Sequence, residues 1–261
     1  MVDTHLYPDN WGVRPILFRI FGIGISSYSF FVLIGLLVGV FVYCYEAKRN
    51  RQQTENSFYI FVAALFGGIL GAKIPVWIMN YREIISSFPD LGPFFSGRTV
   101  VGGLIGGTIS VKIVKRILKI KEKRGNLFAP AIALGLSIGR IGCFLRGCCY
   151  GKISLLPLPW AVDFGDRLLR HPTQVYESFF CLLLFGHLTY LKRKVTEPGR
   201  LFVIFLNYYF SFRFFVEFIR VEPVVFFRLT GFQIVSLLVL VYLNRGLLTR
   251  YRKLNLIRGG C

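Results

Sequence analysis

The sequence predicts an all-α polytopic membrane protein with seven transmembrane helices. Its N-terminus lies outside, its C-terminus is cytoplasmic, and a small extracytoplasmic cap joins two of the helices. Three observations predict this. Of 261 residues, 54% are hydrophobic and 16% aromatic, with 27 Phe, and the mean hydropathy is +0.56. Apolar runs recur at the length of about 20 residues that a hydrocarbon core about 30 Å thick requires. The net charge of +19, from 32 Lys+Arg against 13 Asp+Glu, is gathered into blocks between those runs. Disorder is excluded, because it requires low hydrophobicity. An ordinary soluble domain would lack the polar residues to cover its surface. A nucleic-acid binder this basic would interleave Lys and Arg through a polar face, and this chain does not.

The runs are Ile25–Tyr45, Ser57–Met79, Thr99–Ile120, Asn126–Arg146, Gln174–Leu191, Leu201–Ile219 and Phe232–Leu248. No small-residue cleavage site follows the first run, so it does not read as a secretory signal. With the N-terminus outside, the inner segments carry 18 Lys and Arg and the outer ones 9. This two-to-one excess follows the positive-inside rule. Trp11, Trp77 and Trp160 then all fall on the outer side, as interfacial anchors. Residues 1–261 read as a single integral membrane domain, with 147–172 inserted as the cap. Small-xxx-small pairs (Gly35/Gly39, Gly67/Gly71, Gly102/Gly106, Gly103/Gly107 and Gly135/Gly139) predict close helix approach. The glycines at 102–107 have the wrong spacing and context for a nucleotide loop.

Chemistry is expected where charge is expensive. An Arg at a bilayer centre costs about 2.5–3.5 kcal/mol on insertion scales. From the inner ends of their spans, Arg140 lies about 21 Å deep, Arg213 about 18 Å and Lys73 about 24 Å, at 1.5 Å rise per residue. Three cations at similar depth point to an anion, and in a membrane the plentiful anion is a lipid phosphate. Tyr209, Arg213, Glu217 and Arg220 share one helix side. The alternatives are a structural Arg213–Glu217 salt bridge and a snorkelling Arg220. The polar stretch His171-Pro-Thr-Gln-Val-Tyr-Glu177 enters the fifth span at the outer boundary, with Pro172 suited to a first helical turn. His171 is the one histidine placed there to act as a base. His5 lies in the tail, and His187 reads as structural.

These residues together resemble one family. Gly139-Arg-Ile-Gly-Cys-Phe-Leu-Arg-Gly-Cys-Cys-Tyr-Gly151, His171-Pro-Thr-Gln-Val-Tyr-Glu177, Val101-Gly-Gly-Leu-Ile-Gly106 and Tyr209…Arg213-Phe-Phe-Val-Glu-Phe-Ile-Arg220 resemble the prolipoprotein diacylglyceryl transferases. The resemblance runs from about Ile16 to the last span. It implies transfer of diacylglyceryl from phosphatidylglycerol to the lipobox cysteine of a prolipoprotein signal peptide, in a bacterial inner membrane with the site open to the outer face. It implies no cofactor, no metal and no nucleic acid. Arg140 and Arg213 match the phosphate-handling arginines. Tyr28, His171 and Glu177 join them as catalytic candidates. Lys73, Tyr209, Glu217, Arg220, Gly102, Gly103, Gly151, Gln174 and Tyr176 are candidates for binding phosphatidylglycerol.

The chain departs from the family at four points. Val101 stands where the family carries the histidine of a His-Gly-Gly motif, Cys143 where it carries Asn, and Cys148 where it carries Glu. Lys73 replaces an Arg, keeping charge and losing the guanidinium fork. Cys143, Cys148 and Cys149 are read as a disulfide or as reactive thiols, with metal ligation a weaker reading because their spacing is not a zinc pattern. Cys44, Cys181 and Cys261 read as filler or tail. Two function classes follow: an active diacylglyceryl transferase, and a non-catalytic or altered-specificity paralogue that binds phospholipid or signal peptides. A transporter or channel is disfavoured, because the intramembrane charges gather in the outer half of the membrane.

Overall fold

A computed structural model describes residues 13–50, 55–88, 94 and 97–258. Trp11, His5 and Cys261 lie outside the described residues. In chain order the elements are β1 (Ile16–Ile20), β2 (Ile23–Ser26), α1 (Ser27–Arg49), α2 (Glu55–Met79), α3 (Tyr81–Ser86), α4 (Val100–Ile117), α5 (Gly125–Arg146), β3 (Val162–Asp163), β4 (Leu169–Arg170), α6 (Thr173–Lys192) and α7 (Arg200–Val216). A 3₁₀ turn (Glu217–Ile219), β5 (Val224–Phe226), β6 (Leu229–Thr230) and α8 (Gly231–Arg258) complete the chain.

Every apolar run is occupied by a helix. Four helical stretches, Ser27–Arg49, Asn56–Met79, Gly125–Arg146 and Arg200–Ile219, are long and apolar enough to cross a membrane. The protein is thus a mostly helical, multi-pass membrane protein. Three antiparallel hairpins, β1–β2, β3–β4 and β5–β6, amend the all-α expectation. They lie between the long helices, where backbone N–H and C=O groups lack helical partners and strand pairing satisfies them. The third run also ends earlier than its apolar stretch, because the chain leaves the helix before Lys119, which has φ +52°.

The described residues form two compact units, 47–122 and 13–46 with 123–258. In the first, α2 and α4 meet along glycine faces. A Cβ at Gly106 would stand 2.4 Å from the Gly67 carbonyl oxygen, and one at Gly102 only 2.2 Å from that of Gly71. No side chain fits there. Thr99 donates its N–H to the Ala72 carbonyl at 2.9 Å, one turn before Pro75 interrupts the α2 ladder. Trp77 donates its indole N–H to the Phe94 carbonyl at 3.0 Å.

In the second unit α5 is central. A Cβ at Gly35 of α1 would lie 2.5 Å from the Gly135 oxygen of α5. On α6, Ser178 exchanges hydroxyl bonds with Ser137 of α5. Ser137 Oγ donates to the Ser178 carbonyl at 2.9 Å and Ser178 Oγ to the Ser137 carbonyl at 2.8 Å. Asn244 of α8 donates to Asn207 of α7 at 2.6 Å. Lys192 pairs with Glu46. His187 rests edge-on against the Tyr208 ring, centroids 5.5 Å apart. α5 ends at Gly147, which takes the left-handed cap conformation with φ +75°.

The segment after Gly147 folds on its own small core. Val13, Val162 and Phe164 are buried together, with Phe144 and Tyr150 against them. Asp163 accepts the N–H groups of Gly165 and Arg167 at 2.8 and 2.9 Å, and Arg170 pairs with Asp166 at 2.5 Å.

Candidate functional site: a buried arginine–carboxylate network

The network is built by α5, α6, α7 and the 3₁₀ turn. Arg140 projects from α5, Glu177 from α6, and Tyr209 and Arg213 from α7. Glu217 opens the 3₁₀ turn and Arg220 follows it. All six are at most 8% exposed. Charge at this burial persists only with partners, and each group has them. Glu177 Oε1 lies 2.8 Å from Arg140 Nη2 and accepts the Tyr209 hydroxyl at 2.8 Å. Its other oxygen lies 3.8 Å from Arg213 Nη1. Arg213 Nη2 is 2.9 Å from Glu217 Oε2, and Arg220 Nε is 3.4 Å from the same oxygen. Arg220 Nη2 meets Glu222 Oε1 at 3.0 Å.

The network still has unused donors. Arg140 Nε, Arg213 Nη1 and Arg220 Nε are buried without a hydrogen-bond partner, as are the acceptors Gln174 Oε1 and Glu217 Oε2; Arg213 Nη1 and Arg220 Nε keep only the longer ion-pair contacts given above. A buried donor left unsatisfied costs about 1–3 kcal/mol. The guanidiniums thus retain hydrogen-bonding capacity that an anion with several oxygens would take up.

The expected Arg213–Glu217 pair therefore forms, but as one edge of a larger network. The snorkelling alternative for Arg220 is overturned: its side chain is 4% exposed, because Glu217, Glu222 and the Cys149 carbonyl compensate its charge inside. Arg220 Nη1 donates to that carbonyl at 3.1 Å.

Three residues of the polar stretch at the start of α6 hold the turn that follows α5. Thr173 Oγ1 donates to the Cys149 carbonyl at 2.8 Å, and Gln174 Nε2 donates to the Cys148 carbonyl at 2.7 Å. The His171 carbonyl accepts the Gly151 N–H at 2.8 Å. Gly151 pairs with Arg220 in an isolated antiparallel bridge. A Cβ at Gly151 would sit 2.7 Å from the Ile219 oxygen and 2.8 Å from His171 Cβ, so glycine is required there.

Cys143, Cys148 and Cys149 all carry free thiols; the disulfide alternative is not formed. Arg140 Nη1 reaches Cys143 Sγ at 3.8 Å, and Cys148 Sγ reaches the Cys143 carbonyl at 3.7 Å.

The His171 ring meets the Tyr176 hydroxyl at 3.3 Å, and Trp160 donates to the same hydroxyl at 2.9 Å; the ring bonds no guanidinium or carboxylate of the network. The Tyr28 ring lies under the Arg146 guanidinium, 5.6 Å from its centroid. Lys73, Val101, Gly102 and Gly103 belong to the other compact unit, where Lys73 and Val101 are buried.

Reading the sequence missed Glu222, Thr230 and Gln233. Thr230 Oγ1 donates to Glu217 at 3.2 Å, and Gln233 accepts the Thr230 N–H at 2.9 Å. Gln233 alone carried a signal, as an amide at the mouth of an apolar run.

A multi-pass helical protein with an arginine–carboxylate network buried among its helices is, as a class, an integral membrane protein with a charged interior site. The comparisons narrow the class. The model of the prolipoprotein diacylglyceryl transferase family matches residues 15–248. The phosphatidylglycerol–prolipoprotein diacylglyceryl transferase of Clostridium tetani is 34% identical over 223 residues, covering 81% of this chain and 87% of its own length. A second such protein, from Clostridium perfringens, is 29% identical, covering 81% of this chain and 85% of its own. One from Dehalococcoides mccartyi is 28% identical, covering 92% and 95%. The chain belongs to the prolipoprotein diacylglyceryl transferase family.

Proposed function

We propose that this protein transfers the diacylglyceryl group of phosphatidylglycerol to the thiol of a lipobox cysteine on a prolipoprotein. It works in a bacterial inner membrane, with seven spans, the N-terminus outside and the site open to the outer face. The observation that carries the reading is the set of unsatisfied buried donors on Arg140, Arg213 and Arg220. A phosphodiester offers the oxygens those donors lack. In the reaction the acceptor thiol gives its proton to the His171 imidazole, and its sulfur attacks the glyceryl carbon. The C–O bond to phosphate breaks, its electron pair leaves with the oxygen, and glycerol-1-phosphate departs as the thioether forms. Negative charge grows on the departing phosphate, where preorganised guanidiniums are most effective. Glu177 and Glu217 hold them in place through the ion pairs of the network. The 147–172 segment serves as the extracytoplasmic cap.

The test is transfer from phosphatidylglycerol to a lipobox peptide by the purified protein in lipid vesicles. Thioether peptide and glycerol phosphate are the expected products. Arg140→Ala and Arg213→Ala lower the rate by ~10²–10³-fold, the scale of removing one charge-stabilising donor. Folded protein that releases neither product refutes the reading. The second reading, a phospholipid-binding paralogue without catalysis, is favoured by the apolar Val101 in the family's histidine position. Saturable phosphatidylglycerol binding with no turnover would establish it instead.

A further inference from the structure

The turn of the β5–β6 hairpin has a strained backbone that the arginine network does not explain. Phe226 of β5 pairs with Leu229 of β6, so the loop is Phe227 and Arg228 alone. Both lie at positive φ, +45° and +60°. Such a turn ordinarily takes Asn or Gly at these positions, and a bulky residue there is a steric outlier. Backbone held in this conformation points to a task for the side chains it displays. Those side chains are apolar and face outward. Phe227 is 83% exposed, and Val224, Val225 and Phe226 are each at least 63% exposed. Successive strand residues point to opposite faces, so β5 is apolar and exposed on both. The exposed charge of the turn is Arg228, while Glu222, just before β5, is paired with Arg220 at 3.0 Å. The root of the hairpin is fixed: Thr230 is buried and donates to Glu217 at 3.2 Å. The β1–β2 turn repeats the arrangement, with Phe21 at φ +48° and fully exposed.

We propose that the β5–β6 turn is a bilayer anchor: Val224, Val225, Phe226 and Phe227 enter the lipid interface, and Arg228 binds a lipid phosphate. The neighbouring elements identify the occupant. The stretch Arg200–Ile219, long and apolar enough to cross a membrane, ends just before the hairpin, and α8 begins at the residue after β6. With no linker on either side, the tip stays within about 13 Å of the start of α8, four residues away at the rise of a strand. In water, four consecutive exposed apolar residues are a liability. Among acyl chains that cost disappears, at the depth of about 5–10 Å where interfacial apolar faces rest. Arg228 then stands at headgroup level, where anionic lipid attracts it and its guanidinium can bond two phosphate oxygens at once. Because the root bonds Glu217, the anchored tip also holds that carboxylate of the network at a fixed distance from the lipid surface.

The test is tryptophan fluorescence of the full-length protein in vesicles of phosphatidylglycerol and phosphatidylcholine. Phe227→Trp is placed in a Trp11→Phe/Trp77→Phe/Trp160→Phe background, with Val225→Trp as a second reporter, and folding is checked by thermal melt. Phosphatidylcholine brominated close to the headgroup quenches either reporter by about half or more, as expected at that depth. Aqueous acrylamide quenches it about fivefold less than N-acetyltryptophanamide added to the same vesicles. Acrylamide access equal to that of the free amide overturns the proposal. Shielding from acrylamide without quenching by the brominated lipid overturns it as well, and gives the surface to a protein partner or a second copy. Arg228→Glu raises acrylamide access at position 227 by about twofold, since the anionic headgroups now repel the turn; unchanged access overturns the phosphate contact. These vesicles hold no acceptor peptide, so the anchor and the transferase reading stand or fall separately.

Discussion

Glu177 is the residue on which the network turns. One carboxylate serves Arg140, Tyr209 and Arg213, joining three helices through two oxygens. Glu177→Gln keeps the shape and removes the charge, leaving buried cations without compensation. Breaking a buried pair on one side costs about 3–5 kcal/mol, so the thermal midpoint in detergent falls and transfer is lost with it. Tyr209→Phe removes one hydrogen bond, about 1 kcal/mol, and lowers the midpoint far less. Equal midpoints for Glu177→Gln and the wild type would show that the carboxylate does not anchor the arginines. Arg140 and Arg213 were legible in the sequence because a charge inside an apolar run is conspicuous. Glu222 and Thr230 were not, because they lie between runs, where polar residues are cheap and carry no signal. That Glu177 belongs with Arg140 was hidden as well. They are thirty-seven positions apart on different helices, and only the α5–α6 packing brings them together.

At the scale of elements, glycine decides how closely helices approach. The α2–α4 contact leaves no room at Gly106. Gly106→Ala therefore forces the helices apart and destabilises by about 1–3 kcal/mol, as overpacking does. Gly139 belongs to the same class of small-xxx-small pair, yet a Cβ there meets nothing within 4 Å. Gly139→Ala is then neutral or gains up to about 1 kcal/mol from helix propensity. Comparing the two variants by thermal unfolding checks the distinction; similar losses in both would contradict it. The sequence pattern marked both glycines alike, since spacing reports a helix face and not what stands across from it. Among the described residues it located the long helix in each apolar run, because apolar length is a strong signal. The three hairpins escaped it. β1 and β2, for example, are joined by Phe21 and Gly22, both at positive φ. Strands of two to five residues beside apolar runs have no periodicity long enough to read.

Across the whole molecule, charge sets orientation. With the N-terminus outside, as proposed, the inner segments carry twice the Lys and Arg of the outer ones, and an anionic inner leaflet would hold them there. Single cysteines placed at Lys121 and at Arg167 in a cysteine-free background test this. In intact cells with a permeable outer barrier, an impermeant maleimide labels position 167 and spares position 121. The reverse pattern would invert the topology.

The backbone bridge between Gly151 and Arg220 has a consequence for how ligand occupancy can be observed. Arg220 presents its guanidinium to the carboxylates while its own backbone is pinned to the 147–172 segment. The neighbouring Lys152 N–H is fastened to the Ile219 carbonyl at 2.7 Å. Whatever steadies the guanidinium steadies that amide, and reciprocity requires the converse. Deuterium uptake at Lys152 is thus a gauge of the buried site read from the solvent side. It slows when phosphatidylglycerol binds and quickens in Arg220→Lys, where the clamp on Cys149 is gone.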